Sequence, residues 1–452
     1  MSLLEFAVRF RSALPFHLEP TASGRDEPLP RRQWLLRMTS GVIASLPATA
    51  AWASERRPAQ AETGWWTWRG PLGRNIAASA DFAPTSLSLE HLLWEVPVPG
   101  RGHSSPIVTD DAIYLTTADT AQGTQSILAF RREDGQPLWS DVVHRGGLPT
   151  QNHAKNTEAT PTVAFNGSRL IALFYNSDAL WLTCYATSGE RLWQRVIGPY
   201  QPKTYKFGYG ASPAIYGNTA IVVSDYDGAS FMAAVDLQDG EIVWRIPRPG
   251  KQSYSSPIIA QLQGRDQLLL SGGDQIASYD PASGQRLWSA PATTMATCGT
   301  LVWDDHYVYG SGGYPDAQTA CIRADGSGEV VWTNNQQCYA QSLLTTGGYL
   351  YAVTDQGIAY CWRGADGEVM WRQRLGGNYS SSPLLVGDRI FVLNERGEAF
   401  TFLATPDQYA SLGHSKMGDE GFATPAVVGD TMYLRTAREA SDGRQEYLLA
   451  LR

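Results

Sequence analysis

Six copies of Gly-x-x-x-Trp stand in register along this chain, at Gly135/Trp139, Gly189/Trp193, Gly240/Trp244, Gly284/Trp288, Gly328/Trp332 and Gly367/Trp371. With this glycine content, 15 tryptophans give only about one or two such pairs by chance. A second element interleaves with the first: a small residue before proline, followed by an aliphatic run. It reads Ser105-Pro106-Ile107-Val108, Thr160-Pro161-Thr162-Val163, Ser212-Pro213-Ala214-Ile215, Ser256-Pro257-Ile258-Ile259, Ser382-Pro383-Leu384-Leu385 and Thr424-Pro425-Ala426-Val427. Degenerate copies at Thr300-Leu301-Val302 and Ser342-Leu343-Leu344 fill the gap, so that successive starts lie 55, 52, 44, 44, 42, 40 and 42 residues apart. A period in the forties built from short strands predicts propeller blades rather than helical repeats.

Each unit resolves into four strands. Between Ser256 and Trp288 the pattern predicts strands over 257–260, 267–271 and 275–279, with a fourth opening at 286–288. The turn before the fourth strand needs a residue at positive φ, which glycine supplies without steric cost. The tryptophan then begins the outer strand, its ring filling the wedge between blades while the indole N–H seeks a carbonyl. Proline sits where a missing backbone donor costs least, at the start of a strand. Eight starts are present, but the last unit, from Phe422, has only three strands' worth of chain. Leu92-Leu93-Trp94-Glu95-Val96 resembles a tryptophan strand without its own repeat. The expectation is an all-β, eight-bladed propeller over residues 91–452, closed by N- and C-terminal strands sharing the last blade. The unit from Ser381 lacks its tryptophan and is expected to end irregularly over 405–417.

The first residues read as a targeting segment. Arg31-Arg32-Gln33-Trp34-Leu35-Leu36-Arg37 resembles a twin-arginine box, an apolar stretch runs from Met38 to Ala51, and Ala51-Trp52-Ala53 fits small-x-small cleavage. Residues 1–53 are therefore expected to be a signal peptide directing export, with 54–90 an N-terminal extension. That segment carries six arginines against four carboxylates, so removing it takes the net charge from −8 to about −10. An acidic chain lacks the basic face that nucleic acid or anionic lipid requires. No later apolar stretch is long enough for membrane insertion. The five cysteines (Cys184, Cys298, Cys321, Cys338 and Cys361) form no C-x-x-C pair, which disfavours structural zinc. Cys298 and Cys338 precede neighbouring inner strands, and either a bridge or buried thiols would suit them.

The Gly-x-x-x-Trp copies resemble the tryptophan-docking motif of quinoprotein alcohol dehydrogenases and of BamB-type outer-membrane-assembly scaffolds. Over nearly all of the chain after residue 53 the match is closer to exported PQQ-binding-like β-propeller repeat proteins. Trp68-Arg69-Gly70-Pro71, Pro99-Gly100-Arg101-Gly102-His103-Ser104-Ser105-Pro106, His153-Ala154-Lys155-Asn156-Thr157 and Gly208-Tyr209-Gly210-Ala211-Ser212-Pro213 carry that resemblance. It implies the fold; a propeller hosts many functions. The dehydrogenases of this kind carry adjacent cysteines, long insertions, a calcium and a carboxylate base, and this chain has no Cys-Cys pair. BamB-type scaffolds carry a lipid-accepting cysteine, and none stands near the expected cleavage site here.

In an up-and-down blade, the start of strand one and the loop after strand two share a face, and the Gly turns lie on the other. The connectors 140–158 and 194–211 are the longest, and long loops on one face of a repeat array mark its working surface. That face is expected to carry His144, His153, Lys155, Asn156, Glu158, Lys203, Lys206, Tyr209, Asp225 and Asp227. His103, Glu158, Tyr209, Tyr254, Cys298, Tyr339, Tyr379 and Phe422 precede the inner strands and are expected to ring the channel mouth, either stacking a ligand or plugging the funnel. The histidines and aspartates show no fixed ligand spacing, and Asp225-Tyr226-Asp227-Gly228 lacks the later ligands of a calcium loop, so no metal site is expected. The reading favoured is a non-catalytic scaffold, without cofactor, binding a protein or polymer partner on the long-loop face. The alternative is a quinoprotein oxidoreductase using PQQ and calcium, with Glu158 or Asp227 as base.

Overall fold

A computed structural model describes residues 64–77, 81–82, 84–441 and 443–452. The twin-arginine box, the apolar stretch after it and the cleavage site lie outside the described residues. Eight four-stranded antiparallel sheets follow one another as blades of a ring. Blade one begins with Ile107–Val108, blade two with Ala164–Phe165, blade three with Ala214–Tyr216 and blade four with Ile258–Leu262. Blades five to eight begin with Val302–Trp303, Leu344–Thr346, Leu384–Val386 and Ala426–Val428. Blade four completes itself with Arg265–Ser271, Ile276–Tyr279 and Arg286–Ala290, within two residues of the alternation in its sequence. Blade eight takes its outer strand, Leu92–Val98, from the other end of the chain, where it pairs antiparallel with Gly443–Leu451. Trp94 faces Ala450, and Glu95 holds the Arg438 guanidinium through both carboxylate oxygens.

The core lies between blade faces, and one device repeats through it. Each repeat tryptophan stands opposite a small residue, just where the third strand bulges: Ala129 for Trp139, Cys184 for Trp193, Ala234 for Trp244, Ser278 for Trp288, Cys321 for Trp332 and Cys361 for Trp371. A small partner leaves room for the indole to lie down onto the next blade. There Trp139, Trp193, Trp244 and Trp332 cover the glycine of that blade's turn; a Cβ on Gly367, whose φ is +73°, would stand 2.8 Å from the Trp332 ring. The Trp193 and Trp332 N–H groups donate to Leu237 O and Gly364 O at 3.0 and 2.8 Å. The Cys184 and Cys321 thiols lie 3.7 and 3.6 Å from those same carbonyl oxygens. Three cysteines thus serve as small apolar partners of tryptophans, and all five are free.

Two blades depart from the rule. Trp288 donates to Gln267 Oε1 of its own blade, 2.9 Å away, rather than to a carbonyl of the next. In blade seven the irregular ending expected over 405–417 is corrected, because Ser411–Lys416 forms a regular outer strand. Gly413 occupies its tryptophan station, opposite Thr401, and the N-terminal extension fills the space: Ser86 Cβ sits 2.1 Å from where a Gly413 Cβ would be. Phe82, also from the extension, packs edge-on against Phe391 with ring centroids 5.7 Å apart.

The small residue two places before each inner strand has a definite task. The amide of Ser105 donates to Thr162 Oγ1, Thr162 to Ser212, Ser212 to Ser256, Thr300 to Ser342, Ser342 to Ser382, Ser382 to Thr424 and Thr424 back to Ser105, all at 2.9–3.0 Å. A belt of hydroxyl-to-amide bonds therefore ties each blade to its neighbour. In blade two the belt residue is Thr162, not Thr160, so the proline-based start is corrected by two residues. The link from Ser256 to Thr300 is absent from this series, and Thr300 Oγ1 instead accepts from the Trp68 indole at 2.8 Å.

Candidate functional site

The channel has two ends, built differently. Residues 64–77 cross the end where the inner hairpins turn. Trp65 exchanges both backbone hydrogen bonds with Val108 of blade one, and Trp66 O accepts from the Phe165 amide of blade two. Arg69 donates to Leu343 O of blade six at 2.9 Å, while Asn75 O and the Ala77 amide pair with Leu385 of blade seven. Arg69 is fully buried with no carboxylate partner among the described residues; burial lowers its pKa to about 9, and its hydrogen bonds run to carbonyls of Gly73, Arg74 and Leu343. Gly70 follows at φ +66°, where a Cβ would strike the Trp65 ring at 2.3 Å. The Trp-Arg-Gly-Pro segment is an axial plug.

At the other end the two long connectors fold over the mouth. They are shorter than the sequence suggests: the outer strands Pro137–Arg145 and Arg191–Pro199 continue six residues into the spans read as loops. His144 therefore sits in a strand, edge-on to Phe174 and Trp181, and burial together with Arg191 lowers its pKa to about 4. From the first connector Lys155 reaches Glu395 of blade seven at 2.7 Å, and Glu395 also accepts from Ser380 at 2.7 Å. Asn156 clamps the two connectors together, its amide donating to Phe207 O at 2.7 Å. Asp227 anchors the second connector, accepting from the amides of Lys203 and Thr204 and from the Thr204 hydroxyl at 2.7–2.9 Å; these bonds lower its pKa against the opposing effect of partial burial.

On this scaffold a group of aromatic rings spans the face. His153 and Phe207 meet edge to face at 5.1 Å, Phe207 and Tyr205 lie 5.6 Å apart, and Tyr205 meets Tyr314 of blade five at 5.3 Å. Phe207 and Tyr314 are 37% and 42% exposed, with Lys203 and Lys206 exposed beside them. Tyr205 and Tyr314 had no signal in the repeat; they lie in connectors whose sequences match no other blade.

The residues expected around the mouth divide. His103 stacks on Phe422 with ring centroids 4.2 Å apart, and burial with Arg101, Arg435 and Arg444 nearby drives its pKa well below the usual histidine range. Half-buried Tyr339 and buried Tyr254 flank Cys298, whose thiol burial pushes up to about 12. Tyr339's amide is held by Asp355, itself raised by burial. Tyr209 and Tyr379 are buried, as a plugging role would have them; Tyr209 donates to Val223 O at 2.7 Å. Asp225 is likewise removed from the face, paired with buried Arg248 through two bonds of 3.0 and 2.8 Å. Glu158 accepts from Asn152 at 3.1 Å.

A quinone beside a cation needs converging ligands and an uncommitted carboxylate. Among the described residues no three His, Cys, Asp or Glu side chains gather as a cation site. Glu158 and Asp227, the two carboxylates considered as base, are both engaged in holding loops. The donor set at the mouth does not fit a quinone–calcium pair.

The fold has many solved relatives. BamB from Moraxella catarrhalis superposes with a TM-score of 0.55 at 15% identity, covering 80% of this chain and 99% of that one. A europium-containing methanol dehydrogenase gives 0.64 at 10% identity over 86% and 98%. These likenesses establish the fold. In sequence, the BamB proteins of Shewanella oneidensis and Alkalilimnicola ehrlichii are 24% and 26% identical over 48% and 54% of this chain. The matched region spans about half the length of each, 51% in both cases. The family model described as outer membrane protein assembly factor BamB matches residues 48–207, 182–362 and 320–445, nearly the whole propeller. By that match the chain belongs to the BamB family of PQQ-repeat propellers.

Proposed function

We propose that this chain is an exported, non-catalytic propeller that holds a protein partner on the face of its long connectors. The observation that carries this reading is the exposed ring group of His153, Tyr205, Phe207 and Tyr314, fixed from beneath by Asn156 and Asp227. Large rings on a rigid base bind with little entropy lost, and exposed aromatics rimmed by polar residues mark interaction sites. The relatives' name, outer membrane protein assembly factor, supports a protein partner, and the twin-arginine-like box supports export.

The test is photo-crosslinking in the native host, with the reactive residue placed at Phe207, at Tyr314, or at Gly264 on the opposite face. A discrete adduct from positions 207 and 314 but not 264 is the expected result. Adducts from 264 alone would move the working surface to the other face. Turnover of an alcohol or sugar by protein supplied with PQQ and calcium would replace the scaffold with the oxidoreductase.

A further inference from the structure

On the hairpin face, beside the plug, a cavity of about 800 Å³ opens between blades four, five and six. We propose that it binds a cationic amino sugar, a pyranose carrying a protonated amine among free hydroxyls. The site lies on the face opposite the ring group and does not depend on the proposed scaffold role.

The charged part of the lining sets the sign of the occupant. Asp266, Asp304 and Asp305 line the cavity against one guanidinium, that of Arg74, so negative charge prevails. Asp304 is committed within the protein, accepting from the Tyr309 hydroxyl and the amides of His306 and Tyr307, each at 2.9 Å. Asp266 and Asp305 have no side-chain partner among the described residues, and their oxygens are open to donors. Such a field repels phosphate and carboxylate groups. It favours an ammonium, whose three N–H donors suit carboxylate acceptors.

The uncharged part of the lining decides what carries the amine. Trp303 is only 6% exposed and lines the cavity, and its indole N–H has no acceptor among the described residues. The plug covers the benzo edge of this ring, where a Cβ on Gly73 would stand 3.8 Å from Cη2. An occupant that satisfies the indole brings an acceptor as well as a cation. A sugar hydroxyl is such an acceptor, whereas a linear polyamine in its charged form has none. The half-buried Tyr307 ring supplies a flat apolar surface for a pyranose face. The rim is bare backbone, since a Cβ built on Gly347 or Gly348 meets nothing within 4 Å. The volume falls within the range of about 300–1,000 Å³ typical of small-molecule sites.

The experiment is calorimetric titration of the full chain with a glucosamine disaccharide, its N-acetylated form, and putrescine, a linear diamine of the same charge as the first. The free amine is expected to bind about tenfold tighter than the N-acetylated sugar, the worth of one charged hydrogen-bonded contact. Asp266→Asn with Asp305→Asn should bring that ratio to about one. Asp110→Asn with Asp111→Asn, the same charge change on an exposed turn of blade one, should leave it unaltered. Trp303→Phe should weaken both sugars about fivefold and preserve their ratio. Equal affinity for the two sugars, no binding of the free amine, tighter binding of putrescine, or an equal effect of the two aspartate pairs would each overturn the proposal. Should the first aspartate pair fail to fold, Asp305→Asn on its exposed turn and the sugar ratio in the unaltered chain still decide it.

Discussion

The two ends of the channel are closed by different kinds of force. The plug end is shut by backbone pairing, by a tryptophan 1% exposed and by a guanidinium buried among carbonyls. The mouth is bridged by Lys155 and Glu395, an ion pair whose lysine is 43% exposed. Buried apolar surface and satisfied backbone groups are permanent features of a fold, whereas an exposed ion pair contributes about 0–1 kcal/mol. The first end is therefore architecture, and the second can be rearranged by a partner at little cost. That asymmetry supports the proposed placing of the partner at the mouth.

The comparison can be broken by unequal consequences. Trp65→Ala should destabilise the propeller by about 3–5 kcal/mol, read as a lowered urea midpoint. A loss under about 1 kcal/mol would mean that the plug is peripheral. Glycine at a docking turn should matter less: Gly367→Ala forces a residue with a Cβ to φ +73° against the Trp332 ring, at a cost of about 1–3 kcal/mol. Acid should act next. His103 and His144 are held neutral in the fold, with pKa values below the usual 6.5. The unfolded chain thus binds more protons as pH falls through about 6.5, and stability declines from there until His144 itself protonates near 4. His144→Phe should flatten that decline in a series of urea midpoints between pH 7 and 4.5; an unchanged slope would remove His144 from it. Smallest of all, Lys155→Met should leave the global midpoint within about 1 kcal/mol while raising amide exchange over 146–157. A global loss comparable to Trp65→Ala would erase the distinction between the two ends.

What could be read from the residues follows from how local the cause is. Blade four was legible almost strand by strand because glycine turn, alternation and tryptophan all lie within one repeat. The shared blade was legible because Leu92–Val96 carries the tryptophan strand without its turn. The plug was not. Trp68 and Arg69 find their partners 232 and 274 residues away, and no period relates them to Thr300 or Leu343. Nor was the offset in blade two, where Thr160 and Thr162 flank the same proline and only the belt distinguishes them. At the site, Lys155, Asn156 and Asp227 were picked out by loop length, but their tasks came from contacts across blades. Tyr209, Tyr379 and Asp225 turn inward, because a place beside an inner strand or after a second strand does not say which way a side chain turns. The three cysteines opposite tryptophans gave no signal in their own spacing, since the bulge that pairs them is a feature of the sheet.

The shared blade also fixes an order of events. Leu92–Val98 leaves the ribosome about 350 residues before its partner Gly443–Leu451. Until then the nascent chain carries two open sheet edges, one at each end of an unfinished circle. Completion is thus a single late event, and a product truncated before residue 443 would be left with both edges free to pair with other molecules.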